Sequence, residues 1–118
     1  MGQDPVVSNP ALYRVVFENA RVRVLEYRDG PGDKTVEHGH PDSVMITLSS
    51  FRRRLSGHGE DVDVEIPAGT ARWLAAQDHS GENIGDTETH TMFVELKEPA
   101  PGKTACEAAK APLGPQGS

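Results

Sequence analysis

Apolar and polar positions alternate in short runs from Tyr13 to Leu96, and they do not recur at helical spacing. The runs are YRVVF (13–17), RVRVLEYR (21–28), VMITLS (44–49), FRRRL (51–55), VDVEI (62–66), TARWL (70–74) and HTMFVEL (90–96). GPGD (30–33), SGHGED (56–61), PAG (67–69) and NIGDTET (83–89) separate them and supply the Gly, Pro, Asn and Asp that turns require. VDVEI is the clearest half-buried strand, with Val62, Val64 and Ile66 on one face and Asp63 and Glu65 on the other. In HTMFVEL, His90, Met92, Val94 and Leu96 share a face opposite Thr91, Phe93, Glu95 and Lys97, which places His90 at the rim of the core. The pattern predicts an all-β sandwich or barrel.

A length of 118 residues supports one hydrophobic core and not two. The expected organisation is a flexible N-terminal segment (1–10), a single domain (11–97) and a disordered Pro/Ala/Gly-rich tail (98–118). A helical turn around ACEAAKA (105–111) would be marginal in isolation. The net charge of −6 leaves no broad basic face for nucleic acid, Arg52–Arg54 being only a local cluster. No apolar stretch is long enough to cross a membrane, and MGQDPVVSNP lacks the layout of a signal peptide, so a soluble cytoplasmic protein is expected. The single cysteine, Cys106, excludes an internal disulfide and a cysteine-rich zinc site, and no histidine near it in sequence would activate it as a nucleophile.

The candidate chemistry lies in the histidines. In VEHGHPDSV (36–44), residues two apart in an extended segment project the same way, so His38 and His40 can reach one metal ion. Such sites normally take at least three protein ligands. The third candidate is His79 in QDHSGENIGD, which a hairpin excursion could return to the first pair. His58, between Gly57 and Gly59, reads as an exposed turn, and Asp42 as a turn residue beside Pro41 that could also serve as a substitute carboxylate.

With these residues in place, the chain resembles the small single-domain cupins of the RmlC-like superfamily. Gly32, five residues and His38-Gly39-His40 match their first motif; His79, three residues and Asn83, followed by the Gly85-Asp86 turn, match the end of the second. The resemblance covers roughly residues 12–97 and looks closest to bacterial monocupins whose N-terminal half reads much like YRVVFENARVRVLEYRDGPGD. It implies a jelly-roll barrel, the cupin double-stranded β-helix, with pairing of two copies through their sheets. Two positions depart from the family pattern. Val44 and Met45 stand where a glutamate usually follows the second histidine, and Ala75, Ala76 and Gln77 replace the usual Pro-x-Gly before His79. The expected centre is therefore a divalent ion (Fe, Zn, Ni or Mn) on His38, His40 and His79 without an obligatory carboxylate.

Arg53, Arg72 and Gln77 are candidates to contact a substrate. If Arg53 faces inward with Phe51 and Leu55, it is a partly buried cation for a carboxylate; otherwise FRRRL is a solvated, charge-protected edge strand. Trp73 reads as core, Glu82 as a turn residue and Asn83 as the holder of the turn that positions His79. No catalytic acid or base is identified. The expected activity is that of a dioxygenase or a Lewis-acid lyase or isomerase acting on a small oxygenated metabolite; the alternative is a non-catalytic cupin that binds a small acidic ligand or serves structure.

Overall fold

The computed structural model describes residues 3–98 and 113–115. Cys106 and the segment 105–111 lie outside the described residues. A short helix α1 (Pro5–Ser8) is followed by nine strands: β1 (Tyr13–Glu18), β2 (Val22–Asp29), β3 (His38–His40), β4 (Ser43–Thr47), β5 (Phe51–Gly57), β6 (Glu60–Ile66), β7 (Ala71–Leu74), β8 (Gln77–Asn83) and β9 (Thr89–Leu96). They form two sheets, one ordered β1-β2-β9-β4-β7 and the other β3-β8-β5-β6. Every strand pair is antiparallel, so one face of each sheet can be packed and the other solvated. Tyr13, Leu25, Tyr27, Met45, Phe51, Ile66, Leu74 and Phe93 form the core between the sheets. The all-β jelly-roll expectation holds. Among the described residues, no helix is long and apolar enough to cross a membrane.

Register decides which face of β9 points inward. Thr89, Thr91, Phe93 and Glu95 stand opposite Asp29, Tyr27, Leu25 and Arg23 of β2, and the residues opposite one another on neighbouring strands share a face. The buried face of β9 is therefore the mixed polar one, and His90, Met92, Val94 and Leu96 lie half-buried on the outside. This corrects the assignment of His90 to the rim of the core, since its ring instead meets Glu26 Oε2 at 2.7 Å on the outer face. Trp73, expected in the core, is 39 % exposed on the same outer side, because β7 turns Leu74 inward.

The first ten residues, expected to be flexible, are tied down from residue 4 onward. Asp4 caps α1 by accepting from Val6 N (2.9 Å), and Pro5 opens the helix, where its missing N–H costs nothing. Asn9 is buried, and its Oδ1 accepts from Val36 N (2.8 Å) just before β3. At the other end, Leu113 and Gly114 are buried against the barrel mouth, where Gly114 N donates to Gln77 Oε1 (2.8 Å). Disorder was expected throughout the tail, but Leu113 and Gly114 are buried.

Candidate metal centre

β3 contains only three residues, and two of them are histidines. His38 is paired directly across from His79 of β8, and His40 from Gln77. Residues i and i+2 of a strand and their cross-strand partners point to one face, which here is the interior. All three histidines are buried. Their ring centroids form a nearly equilateral triangle with sides of 4.8, 5.0 and 5.1 Å. One ligand atom from each lies within 4.8 Å of the other two, and among the described residues no other group of His, Cys, Asp or Glu has this spacing.

The outer nitrogen of each ring has its own acceptor. His38 Nδ1 lies 2.8 Å from the Val36 carbonyl, His40 Nδ1 3.3 Å from Glu95 Oε2, and His79 Nδ1 2.9 Å from Gln77 Oε1. The Gln77 amide is oriented by Nε2 donating to the Ala75 carbonyl (3.0 Å) and Oε1 accepting from Gly114, so the oxygen faces His79. Asn9 Nδ2 also approaches His38 Nδ1, but at 3.4 Å, while donating to Ser8 Oγ at 2.8 Å. These partners place the proton of each ring on Nδ1 and leave the Nε2 lone pair as the donor. The donor set therefore fits a divalent ion held by three neutral imidazoles.

Burial favours the neutral form. It depresses His38 and drives His79 well below the ordinary histidine value. His40 is lowered to about 3 by burial first, then by His38 and Arg23. Glu95 is itself pushed upward by burial, against the pull of Arg23. A chain of charges supports it: Arg23 donates to Glu95 Oε1 (2.9 Å) and to Asp4 Oδ2 (2.7 Å), so the N-terminal segment braces the partner of His40.

A cavity of about 50 Å³ adjoins the triad. It is bordered by His38, His79, Tyr13, Arg53, Thr91 and Met45 and walled by Phe51, Leu55, Ile66 and Phe93. By volume it admits a ligand of a few heavy atoms, given the ~10–15 Å³ needed per water on this measure. Thr91 Oγ1 is buried without a hydrogen-bond partner among the described residues, the kind of atom a polar ligand satisfies. Pro115 closes part of the cavity wall.

Arg53 does face inward, which rejects the edge-strand alternative, but its guanidinium is already engaged. Nη1 donates to Asp29 Oδ2 (2.5 Å) and Thr89 Oγ1 (3.1 Å), and Nη2 to Tyr27 Oη (3.2 Å). Tyr27 Oη donates to Asp29 Oδ2 as well, and Asn83 Nδ2 donates to Asp29 Oδ1 (3.1 Å). Gly81 makes room for this network, because a Cβ there would stand 2.9 Å from Arg53 Nη2. Arg72 lies outside the cavity lining, as does Gln77, whose Oε1 orients His79. Asn83 holds the β8–β9 turn through Gly85 N and the Thr87 carbonyl. Asp42 accepts from Ala76 N (2.9 Å), a turn role, and His58 sits in the exposed β5–β6 turn at φ 54°. Glu82 points outward from β8.

Sequence reasoning missed Tyr13, whose hydroxyl lies 3.3 Å from His38 Nε2 and 3.5 Å from His40 Nε2, and Glu95. Glu95 had been placed correctly opposite Met92 and Val94, but with the faces reversed. For Gln77 a signal existed, since it lies two residues from His79 on the same face of a strand. Replacing Gln77 with alanine is expected to weaken metal affinity about 10–100-fold, the usual effect of removing the partner that orients a ligand, as measured by competition with a chromogenic chelator.

A two-sheet jelly roll with a buried histidine triad defines a double-stranded β-helix protein able to hold an ion. No protein-family model matches the sequence, and no curated protein matches it. Solved structures do. A cupin domain from Bordetella pertussis is 27 % identical with a TM-score of 0.69, covering 74 % of this chain and 93 % of that one. A polyketide cyclase from Streptomyces resistomycificus matches at 18 % identity and TM-score 0.54, over 75 % of this chain and 66 % of its own. A predicted oxalate decarboxylase from Thermotoga maritima matches at 19 % and 0.52, over 71 % and 78 %. The chain has the cupin-type double-stranded β-helix fold.

Proposed function

We propose that this cupin is a metal-dependent, dioxygenase-type enzyme acting on a small oxygenated metabolite, with His38, His40 and His79 as ligands. The observation that carries this reading is the set of three buried imidazoles, each with its Nδ1 matched to an acceptor and its Nε2 left for the ion. A bound Fe(II) ion would supply open coordination positions for a chelating substrate and O2. The chain's own part is to hold, orient and exclude water. Phe51, Leu55, Ile66 and Phe93 keep the cavity apolar, and Thr91 Oγ1 offers a hydrogen bond to a polar substituent.

The oxygenase reading is favoured over a lyase or isomerase because the cavity lining offers no carboxylate base among the described residues and its histidines are committed to the ion. Among the described residues that line the cavity, none is a carboxylate; the titratable ones are His38, His79, Tyr13, Tyr27 and Arg53. Proton abstraction from carbon needs a positioned base, whereas reaction of a chelated substrate with O2 does not. The test is oxygen uptake by the Fe(II)-reconstituted protein with a panel of small dicarbonyl and 2-hydroxy-carbonyl compounds, with His79→Ala as control. Substrate-dependent uptake confined to the parent protein is expected. Metal binding without uptake or product across the panel would support a cupin that only binds its ligand.

A further inference from the structure

The geometry points to a fourth donor: Tyr13 Oη joins His38, His40 and His79 on the same ion, giving a centre of three imidazole nitrogens and one phenolate oxygen. This rests on the metal-centre reading above. Tyr13 Oη stands 3.3 Å from His38 Nε2 and 3.5 Å from His40 Nε2, the two nitrogens left facing the site by their Nδ1 partners. One hydroxyl proton cannot be donated to both nitrogens, and both separations exceed the ~2.5–3.0 Å of a good hydroxyl hydrogen bond. Donors bound to one ion at ~2.0–2.2 Å stand roughly 3.0–3.4 Å from one another. The phenol is thus spaced from the imidazoles much as a fellow ligand would be.

The placement is built into the fold. Tyr13 opens β1 and is buried, with its ring 4.7 Å from that of Tyr27, 6.1 Å from that of Phe93 and edge-on to His38 at 5.5 Å. Tyr13 N donates to the Asn9 carbonyl (3.1 Å), and Asn9 Oδ1 accepts from Val36 N, so one residue anchors both the tyrosine and the backbone that orients His38. Chemistry gives the same answer. Met45, which follows His40 where the family usually has a glutamate, lines the cavity with a thioether and supplies no anionic oxygen. Three neutral imidazoles leave the charge of a divalent ion uncompensated, and a phenolate from β1 lowers it by one. Four protein donors leave two positions of a six-coordinate ion, so a substrate held through one atom can sit beside O2, whereas a bidentate one would displace the phenolate.

Ferric iron is the probe, loaded into the metal-stripped parent protein, Tyr13→Phe and Tyr27→Phe, the last replacing the only other tyrosine of the chain. The expected result is a visible phenolate-to-iron charge-transfer band, with tyrosinate ring modes enhanced in resonance Raman, in the parent and Tyr27→Phe and not in Tyr13→Phe. Zinc affinity of Tyr13→Phe is expected to fall at least about tenfold, since losing a direct donor costs no less than losing an outer partner. Iron bound by parent and Tyr13→Phe with the same spectrum, or by the parent without the band, would overturn the tyrosine while leaving the histidine centre standing. A parent protein that takes up neither iron nor zinc by elemental analysis would overturn the centre and its fourth donor together. If Tyr13→Phe does not fold, the spectrum of the iron-loaded parent and of Tyr27→Phe decides.

Discussion

Asp29→Ala is expected to lower the unfolding free energy by about 3–5 kcal/mol, the cost of removing one partner of a buried ion pair. Its carboxylate is fully buried and holds Arg53 at 2.5 Å while also accepting from Asn83 and Tyr27. Without it the guanidinium of the buried Arg53 faces an apolar cavity, and among the described residues its remaining hydrogen-bond partners are the Thr89 and Tyr27 hydroxyls. Because whole domains of this size are stable by only ~5–15 kcal/mol, such a loss is a large share of the total. Arg53→Met in the same background should recover much of it, since replacing both charges with apolar groups removes the desolvation cost that either one alone leaves behind. Urea unfolding with linear extrapolation measures both values. A loss below ~1 kcal/mol in the single variant would mean that Arg53 reaches water despite its position.

The second large effect is acid destabilisation of the metal-free protein. Folding depresses all three ligand histidines below their ordinary value of 6.5, His40 to about 3. Above that ordinary value both folded and unfolded chains carry neutral rings, so the triad adds no pH dependence. As pH falls below it, the unfolded chain takes up protons that the folded chain refuses, and each ring then costs about 1.4 kcal/mol of stability per pH unit. Three rings give a slope of up to roughly 4 kcal/mol per pH unit, persisting until the folded values are reached. Glu95, pushed upward by burial, acts in the opposite sense and offsets at most one of the three. Urea midpoints in chelator between pH 7.5 and 5 should fall steeply below about 6.5 and stay nearly level above it. A level profile throughout would mean that the rings are protonated inside the folded protein.

These effects depend on residues that the sequence reveals unevenly. His38 and His40 were legible because period-two spacing makes two neighbouring imidazoles converge, and Gly32, Asn83 and Gly85 framed them and His79 as cupin motifs. Strand β8 was not legible as a strand. Its inner face is Gln77, His79, Gly81 and Asn83, and a strand that faces a polar site carries no apolar alternation to detect. The same cause reversed the faces of β9, where Thr89, Thr91 and Glu95 are buried because they meet Arg53, the cavity and Arg23, while Met92 and Val94 cover the outside. Arg53 was weighed as a substrate-binding cation, but its partner Asp29 lies on another strand, a pairing that only the register supplies. Tyr13 was read only as part of the YRVVF run, since nothing local distinguishes a core aromatic from one whose hydroxyl meets two histidines. The helix at residues 5–8 was not read from the sequence, where residues 1–10 were expected to be flexible; so short a segment is secured by Asn9 and Arg23, which are contacts in space.

The most direct measurement is metal content by elemental mass spectrometry on untagged protein, as purified and after anaerobic reconstitution with Fe(II), alongside a His38→Ala/His79→Ala variant. The histidine triad predicts about one equivalent of metal per chain in the parent and essentially none in the variant. A parent protein that binds no metal even after reconstitution, or a variant that retains its full complement, would contradict the metal centre on which the proposed function stands.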